Sequence, residues 1–311
     1  MKPISLNSKL VISFLIIFSS LGIWGSLNSG LSWDDPMEHN LFILNYKAVE
    51  GLINGSKDNY LILAQYFDRY YGIGFHTLSY FFSQLFNKQH SSSEDIGLDQ
   101  DLMQIRSDLE LMTIQHVPVF ICFVFTGFLV KIIIQSITKS RSLSIFAMIC
   151  FLLWPYLLGH ALMNVKDSPF AFAWLLTTFW ALKLFDQINQ YVIDQNGVHF
   201  SKIRLNMLIL ALLCAWLVSI RISGVLIFAE FFVFIIFILL KNHQHLFGDL
   251  YFTKWIILGK AIVNSIIFFA LFLFATYLLY PLFWINPLEF FNAILYNCLL
   301  YTSDAADDTP C

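Results

Sequence analysis

Charged residues are scarce in this sequence. Asp, Glu, Lys and Arg make up 13% of the 311 residues, against about a quarter in an average soluble domain. No run of Lys and Arg is present, so the basic pattern typical of nucleic-acid binding is missing. Hydrophobic residues make up 58%, and Phe occurs 33 times. A chain of this kind needs lipid as its solvent, so we expect the lipid bilayer as a partner and no nucleic acid.

Two common chemical signatures are also missing. The sequence has no P-loop and no Gly-rich dinucleotide fingerprint, so no soluble nucleotide site is expected. Its His, Cys and carboxylate residues show no zinc-type spacing, so no metal site is predicted. Its neighbouring carboxylates are compatible with a divalent cation without indicating one. No cofactor is therefore expected.

Long apolar runs dominate the rest of the chain. A helix needs roughly 20 apolar residues to cross the hydrocarbon. This predicts an all-α integral membrane protein with about seven transmembrane helices. The predicted spans are residues 10–28, 117–136, 143–160, 169–185, 205–221, 224–240 and 259–281.

The distribution of Lys and Arg predicts that the N-terminus lies inside. The first span follows Lys2 and Lys9 without a small-x-small cleavage site, so we expect a retained signal anchor rather than a cleaved signal peptide. Residues 29–116 then form a large first outer loop, too long for a mere connector.

Two parts of this outer loop are predicted to be helical. Pro36–Asn54 predicts a helix in the membrane interface, with a stop at Asn54-Gly55. Residues 60–86 are rich in aromatics and predict a second surface helix or a re-entrant one. A full span there would invert every later helix and remove the Lys/Arg bias.

The end of the chain has an unusual sequence. Residues 298–311 resemble the conceptual translation of a transposon-based sequencing adapter. We expect them not to be native, which leaves residues 1–297 as a C-terminally truncated domain. The alternative is a genuine short acidic tail.

The first polar constellation, Trp33 to His39, follows the first span. Asp35 suits a helix N-cap with Glu38 three positions later, which explains both without a function. Asp34 is left over, and a carboxylate beside a second carboxylate at the lipid boundary suits a general base. Surface capping is the alternative for the whole constellation.

The second constellation, Gly159 to Pro169, includes His160, Asn164 and Lys166 and lies between the third and fourth spans. Asp167 or Ser168 can cap the fourth span. The open N-terminus of that helix, with Lys166 beside it, predicts a phosphate-binding cradle. The alternative is an ordinary capped loop in which Lys166 extends its ammonium to the membrane surface.

Three more ionisable residues lie at or within predicted spans: His116, Arg221 and Glu230. Charges at membrane depth are costly and usually face protein or a water-filled cavity. Arg221 and Glu230 lie on either side of a tight hairpin, so we predict that they pair. The other expectation for His116 is an ordinary interfacial histidine.

The order of these features resembles the membrane glycosyltransferases of the C-type fold. The similarity is greatest to the protein-mannosyltransferase-like and aminoarabinose-transferase-like group (glycosyltransferase family 39-like), over roughly residues 1–297. The usual acidic pair of that group is Asp-Glu, whereas this chain has two Asp. The matching elements, in order, are Trp33-Asp34-Asp35-Pro36, Tyr70 to Gly74, Asn164 to Phe170, Arg221 to Gly224 and Tyr280 to Pro287.

The resemblance implies transfer of a sugar from a polyprenyl-phosphate-linked donor to a lipid, glycan or protein acceptor on the outer face. An inverting displacement is implied, with Asp34 or Asp35 as the base and the choice between them open. Lys166, Arg221 and His116 would hold the donor phosphate. A bacterial inner membrane is the implied location. The implied supporting residues are Glu38, His39, Asn164 and Asp167.

Two other classes of function fit parts of this pattern. A transporter or channel also places charges at membrane depth, although the chain shows no convincing internal repeat. A non-catalytic membrane assembly subunit would use the large outer loop for docking.

Overall fold

The computed structural model describes residues 6–86, 100–193, 200–241 and 251–296. The predicted non-native segment 298–311 lies outside the described residues. Across the described ranges the chain is helical and contains no strand, which confirms the all-α prediction. The helices are α1 Leu6–Asn28, α2 Asp35–Ile53, α3 Asp58–Gln65, α4 Gly74–Phe86, α5 Gln100–Thr138, α6 Arg141–Leu152, α7 Pro155–Met163, α8 Asp167–Ile193, α9 Phe200–Ile220, α10 Ile227–Lys241 and α11 Tyr251–Leu279. Short 3-10 turns cover Ile222–Leu226 and Pro281–Phe283, and residues 289–296 are also helical.

Five helices in the described part of the chain are long and apolar enough to cross a membrane. They are α1, α5, α8, α9 and α11. A sixth span arises if α6 and α7 count as one, although they are bent by 61°. The structure therefore supports five or six potential spans rather than the seven predicted from the sequence.

Two of the predicted spans differ from the observed helices for local reasons. The segment 143–160 is broken because Pro155, the first residue of α7, has no N–H to continue the α6 ladder. Trp154 before it is correspondingly extended, with φ −69° and ψ 115°. The segment 224–240 begins in the 3-10 turn Ile222–Leu226, which leaves α10 with 15 residues.

The helix predicted for residues 36–54 is present as α2, and its place in the membrane interface stays a prediction. Its stop is also present, because Gly55 has φ +80°, a left-handed conformation that glycine adopts without strain. The second predicted helix, residues 60–86, is instead two helices, α3 and α4, separated by residues 66–73.

The chain divides into two compact units. Unit 1 contains Met1–Phe42 and Phe75–Phe172, and unit 2 contains Ile43–Gly74 and Ala173–Cys311. In unit 1, α5 packs against α1, α6 and α7. The core of this bundle is apolar and aromatic, with Phe18, Phe120, Phe123, Met148, Leu152 and Ala161 buried together.

In unit 2, α9 packs against α11. A Cβ on Gly72 would lie 1.8 Å from the Ser219 carbonyl oxygen, so only glycine permits this approach of the backbone. Two hydroxyls hold the same region: Tyr280 donates to the Val218 carbonyl at 3.1 Å, and Tyr60 donates to the Leu282 carbonyl at 2.7 Å. The aromatic-glycine and Tyr-Pro-Leu motifs thus have a packing role.

The predicted pair of Arg221 and Glu230 is wrong. Glu230 of α10 instead accepts hydrogen bonds from Trp174 Nε1 at 3.1 Å and Thr178 Oγ1 at 3.0 Å. Both donors lie on α8, one helical turn apart, and are well placed to meet one carboxylate. An expected ion pair takes only charged partners into account, whereas neutral hydrogen-bond donors hold the Glu230 carboxylate.

Candidate functional site

The polar residues of unit 1 gather where several helix ends meet. The end of α1 reaches the end of α7, where Ser29 Oγ lies 3.4 Å from the Leu162 carbonyl oxygen. The first turn of α2, the middle of α5 and the connection from α7 to α8 contribute side chains to two polar pairs there, an aspartate–histidine hydrogen bond and a glutamate–lysine ion pair.

The first pair joins α2 to α5. His116 Nε2 lies 3.0 Å from Asp35 Oδ2, and the two residues are 0% and 2% exposed. The same carboxylate oxygen accepts the Ser32 N–H. A carboxylate only accepts, so Nε2 is the nitrogen that donates. His116 Nδ1 is buried and has no partner among the described residues.

This geometry corrects the N-cap prediction for Asp35. The Glu38 N–H donates to the Asp34 carbonyl at 2.9 Å, so the backbone of Asp34 accepts the first bond of the helix. The Asp35 side chain turns away from the helix end and binds His116. Asp34 itself is exposed.

The second pair joins α2 to the α7–α8 connection. Lys166 Nζ donates to Glu38 Oε1, and the side chains are 16% and 9% exposed. Glu38 therefore has a partner 128 residues away, which the local capping interpretation of its position did not anticipate. Helix capping is a local explanation for Asp35 and Glu38. In the structure each of them binds a partner that is far away in the sequence.

Asn164 folds the connection that carries Lys166. Its Oδ1 accepts the N–H groups of Lys166 at 3.0 Å and Asp167 at 2.7 Å. Its Nδ2 lies 3.0 Å from Asp167 Oδ2 and 3.0 Å from His160 Nδ1. The first N–H group of α8 is thus already bonded. The open helix N-terminus predicted beside Lys166 therefore has one N–H group fewer to offer to a phosphate.

His160, near the start of the second constellation, also belongs to this hydrogen-bonded connection. It precedes Asn164 by one helical turn, and its ring also contacts Tyr156 at a centroid distance of 4.7 Å. His160 and Asn164 are four residues apart at the end of a helix. Residues at this spacing share a helical face, so their contact is predictable from the sequence.

Carboxylates predominate in this cluster. The start of α2 and the α7–α8 connection carry four carboxylates and one lysine. Asp35, Glu38 and Lys166 are engaged in the two pairs described above. Asp34 is the exposed carboxylate of the α2 turn, and Asp167 is the exposed one of the connection. Lys166 is the lysine of this cluster, and its ammonium contacts Glu38.

His39 and His76 form a second buried polar group in unit 1. Their ring centroids lie 6.0 Å apart, and His76 also contacts Phe42. Neither ring nitrogen of His76 has a partner among the described residues. Burial lowers the pKa of His39, an effect that Asp108 opposes. Burial, with His39 beside it, lowers the pKa of His76 to about 3.

Acid should therefore destabilise the protein through His76. Between about pH 6.5 and pH 3 the unfolded chain binds a proton that the folded chain does not, so the free energy of unfolding falls as the pH falls. The slope should reach up to about 1.4 kcal/mol per pH unit. Detergent-solubilised His76→Phe should show a flatter dependence in denaturant unfolding between pH 7 and pH 4.5. An unchanged slope would contradict this assignment.

Eight of the nine predicted site residues lie in unit 1, and the ninth, Arg221, lies in unit 2. Arg221 is half-buried and precedes the 3-10 turn Ile222–Leu226. Within the ranges that the structure describes, no group of three or more His, Cys, Asp or Glu is placed to hold a metal ion.

A scan against models of protein families finds no match to this chain, and searches of curated proteins and of solved structures find none either. What the chain does must therefore be inferred from its own residues and their geometry.

Proposed function

We propose that this chain is a membrane glycosyltransferase that moves a sugar from a polyprenyl-phosphate donor to an acceptor. The observation that carries the proposal is the presence of two polar pairs, the Asp35–His116 hydrogen bond and the Glu38–Lys166 ion pair. They join three segments that are far apart in sequence. Two of these segments are the acidic and Asn-x-Lys-Asp motifs on which the family resemblance rests.

The burial of Asp35 favours Asp34 as the general base. Asp35 is 2% exposed and engaged with His116, whereas Asp34 is exposed at the start of the same helix. In the proposed step the acceptor hydroxyl attacks the anomeric carbon, and its proton passes to Asp34. The bond from that carbon to the phosphate oxygen breaks, which releases polyprenyl phosphate and inverts the configuration.

Lys166 would stabilise the negative charge that grows on the phosphate as this bond breaks. His116 is engaged with Asp35, so we assign it to orienting that carboxylate rather than to the phosphate. A phosphate-binding role for Arg221 rests on the family resemblance, as do the supporting roles of His39, Asn164 and Asp167.

The proposed orientation places the N-terminus inside and the polar cluster on the outer face. Its support is the distribution of Lys and Arg. Residence in a bacterial inner membrane is supported by the family resemblance.

The experiment compares donor classes. Membrane vesicles containing the native gene product are incubated with sugars labelled either on polyprenyl phosphate or on a nucleotide. We expect acceptor labelling from the lipid donor only, abolished when Lys166 is replaced by Met and retained in Lys47→Met, an exposed lysine of α2. Labelling from the nucleotide donor alone would contradict the proposal.

Glu230 supports one alternative, a transporter. It is a carboxylate within an apolar helix, and its Oε1 is buried without a partner among the described residues. Ionisable groups at such positions often mark transport pathways. Under this alternative, vesicles would accumulate an intact solute in a Glu230-dependent manner, with no glycosidic bond formed.

A further inference from the structure

We propose that Glu38 is a positioning residue that holds the Lys166 ammonium until a phosphate group displaces it. This inference rests on the proposed function, since it concerns the donor phosphate of the same reaction. Glu38 would act as a resident anion that sets how tightly Lys166 binds the donor and the released polyprenyl phosphate.

The geometry limits which part of the site can move. Asn164 fixes the backbone of Lys166 by accepting its N–H at 3.0 Å and that of Asp167 at 2.7 Å. The Lys166 ammonium, at the end of four methylenes, is the adjustable part. Exchange of Glu38 for phosphate therefore requires a side-chain movement and leaves the turn intact.

The Glu38–Lys166 pair is partly buried, so replacing Glu38 by a phosphate changes the binding free energy of Lys166 for anions. Lys166 is 16% and Glu38 is 9% exposed. A partly buried charge that loses a contacting carboxylate is less well compensated, so without Glu38 the Lys166 ammonium binds a competing anion more tightly. While Glu38 is present, a competing anion must replace a carboxylate that is already in contact.

The charge of the phosphate changes during the proposed reaction. The donor phosphate is a diester with one negative charge, whereas the released polyprenyl phosphate is a monoester with nearly two. Competition from Glu38 weakens both complexes and limits the retention of the product. Without that competition, Lys166 would bind donor and product more tightly, and product release would slow.

The test replaces Glu38 by Gln in the native gene product reconstituted in nanodiscs. Binding of a sugar-free polyprenyl phosphate is measured by titration. We expect a Kd roughly tenfold lower than in the wild type, corresponding to about 1.4 kcal/mol. In the transfer assay the donor KM and the product-inhibition constant should both fall. Glu50→Gln, an exposed glutamate of α2, should match the wild type.

Further variants keep the proposal testable if Glu38→Gln folds poorly. Glu38→Asp, whose carboxylate reaches less far, should shift the Kd in the same direction by a smaller amount. The double variant Glu38→Gln/Lys166→Met should lose the gain, because no ammonium remains. A Kd that is unchanged or higher in both Glu38 variants would overturn the proposal.

Binding and transfer are measured separately, so the two proposals can fail separately. Tighter binding of polyprenyl phosphate by Glu38→Gln in a chain that transfers no sugar would support the anion exchange and contradict the transferase. Sugar transfer together with unchanged phosphate binding in both Glu38 variants would support the transferase and contradict the anion exchange.

Discussion

Replacement of Asp34 by Asn should lower the rate of sugar transfer by about 10³-fold, within the range typical of a lost general base. The amide keeps the size of the side chain and cannot take the acceptor proton. Because Asp34 is exposed and its backbone carbonyl supports the helix, the thermal unfolding temperature should stay within a few degrees of the wild type.

The matched comparisons are Asp58→Asn and Asp35→Asn. Asp58 is an exposed aspartate in the first turn of α3, so its variant should transfer at the wild-type rate. Asp35→Asn should lower both the rate and the unfolding temperature, since it weakens a buried contact with His116. Full activity in Asp34→Asn together with a normally stable, inactive Asp35→Asn would move the base to Asp35.

Replacement of His116 by Leu should produce the largest loss of stability. Asp35 would keep the Ser32 N–H but lose its side-chain partner in a site where it is 2% exposed. Leaving a buried polar group without its hydrogen-bond partner typically costs about 1–3 kcal/mol, and more when the group is charged. The measurement is the free energy of unfolding in detergent, followed by helical circular dichroism at pH 7.

Replacing both His116 and Asp35 separates the contribution of their contact from that of side-chain packing. In His116→Leu/Asp35→Leu no unpaired carboxylate remains, so the loss should be smaller than in His116→Leu alone. Coupling between the two sites should reach about 0.5–3 kcal/mol, as is usual for residues in contact. Additive losses would show that the two side chains do not interact.

The comparison of sequence with structure is clearest at Asp35 and Glu38. Both fit a local helix-capping pattern, and local patterns are what a single sequence displays. Their partners, His116 and Lys166, lie 81 and 128 residues away. A contact at that separation depends on how the helices pack, which hydrophobic periodicity does not specify.

The interruption of the third predicted span was visible in the sequence. Pro155 lies inside the apolar segment 143–160, and a proline in a helix interior removes one hydrogen bond of the ladder. The apolar composition of the segment nevertheless predicts a continuous span. By contrast, the end of α2 followed directly from Asn54-Gly55, since the chemistry of a turn is local.

His76 shows a different limit of sequence reasoning. A lone histidine in the outer loop is most simply explained as an ordinary interfacial residue, yet His76 is 5% exposed and lies against His39. Helix α4 buries Ser79 and Ser83 beside it and exposes Leu78, Phe81 and Leu85. A helix of a soluble protein buries its apolar face, whereas α4 buries its polar face. The same amphipathic sequence pattern fits both arrangements, so it does not show which face is buried.

The central claim is that this chain breaks the bond between a sugar and polyprenyl phosphate at the cluster containing Asp34 and Lys166. The most direct measurement is mass spectrometry of a defined polyprenyl-phosphate sugar incubated with the purified native gene product and extracted membrane acceptors. The account predicts conversion to sugar-free polyprenyl phosphate by the wild type and not by Asp34→Asn. Recovery of intact donor from the wild type, or equal conversion by both proteins, would contradict it.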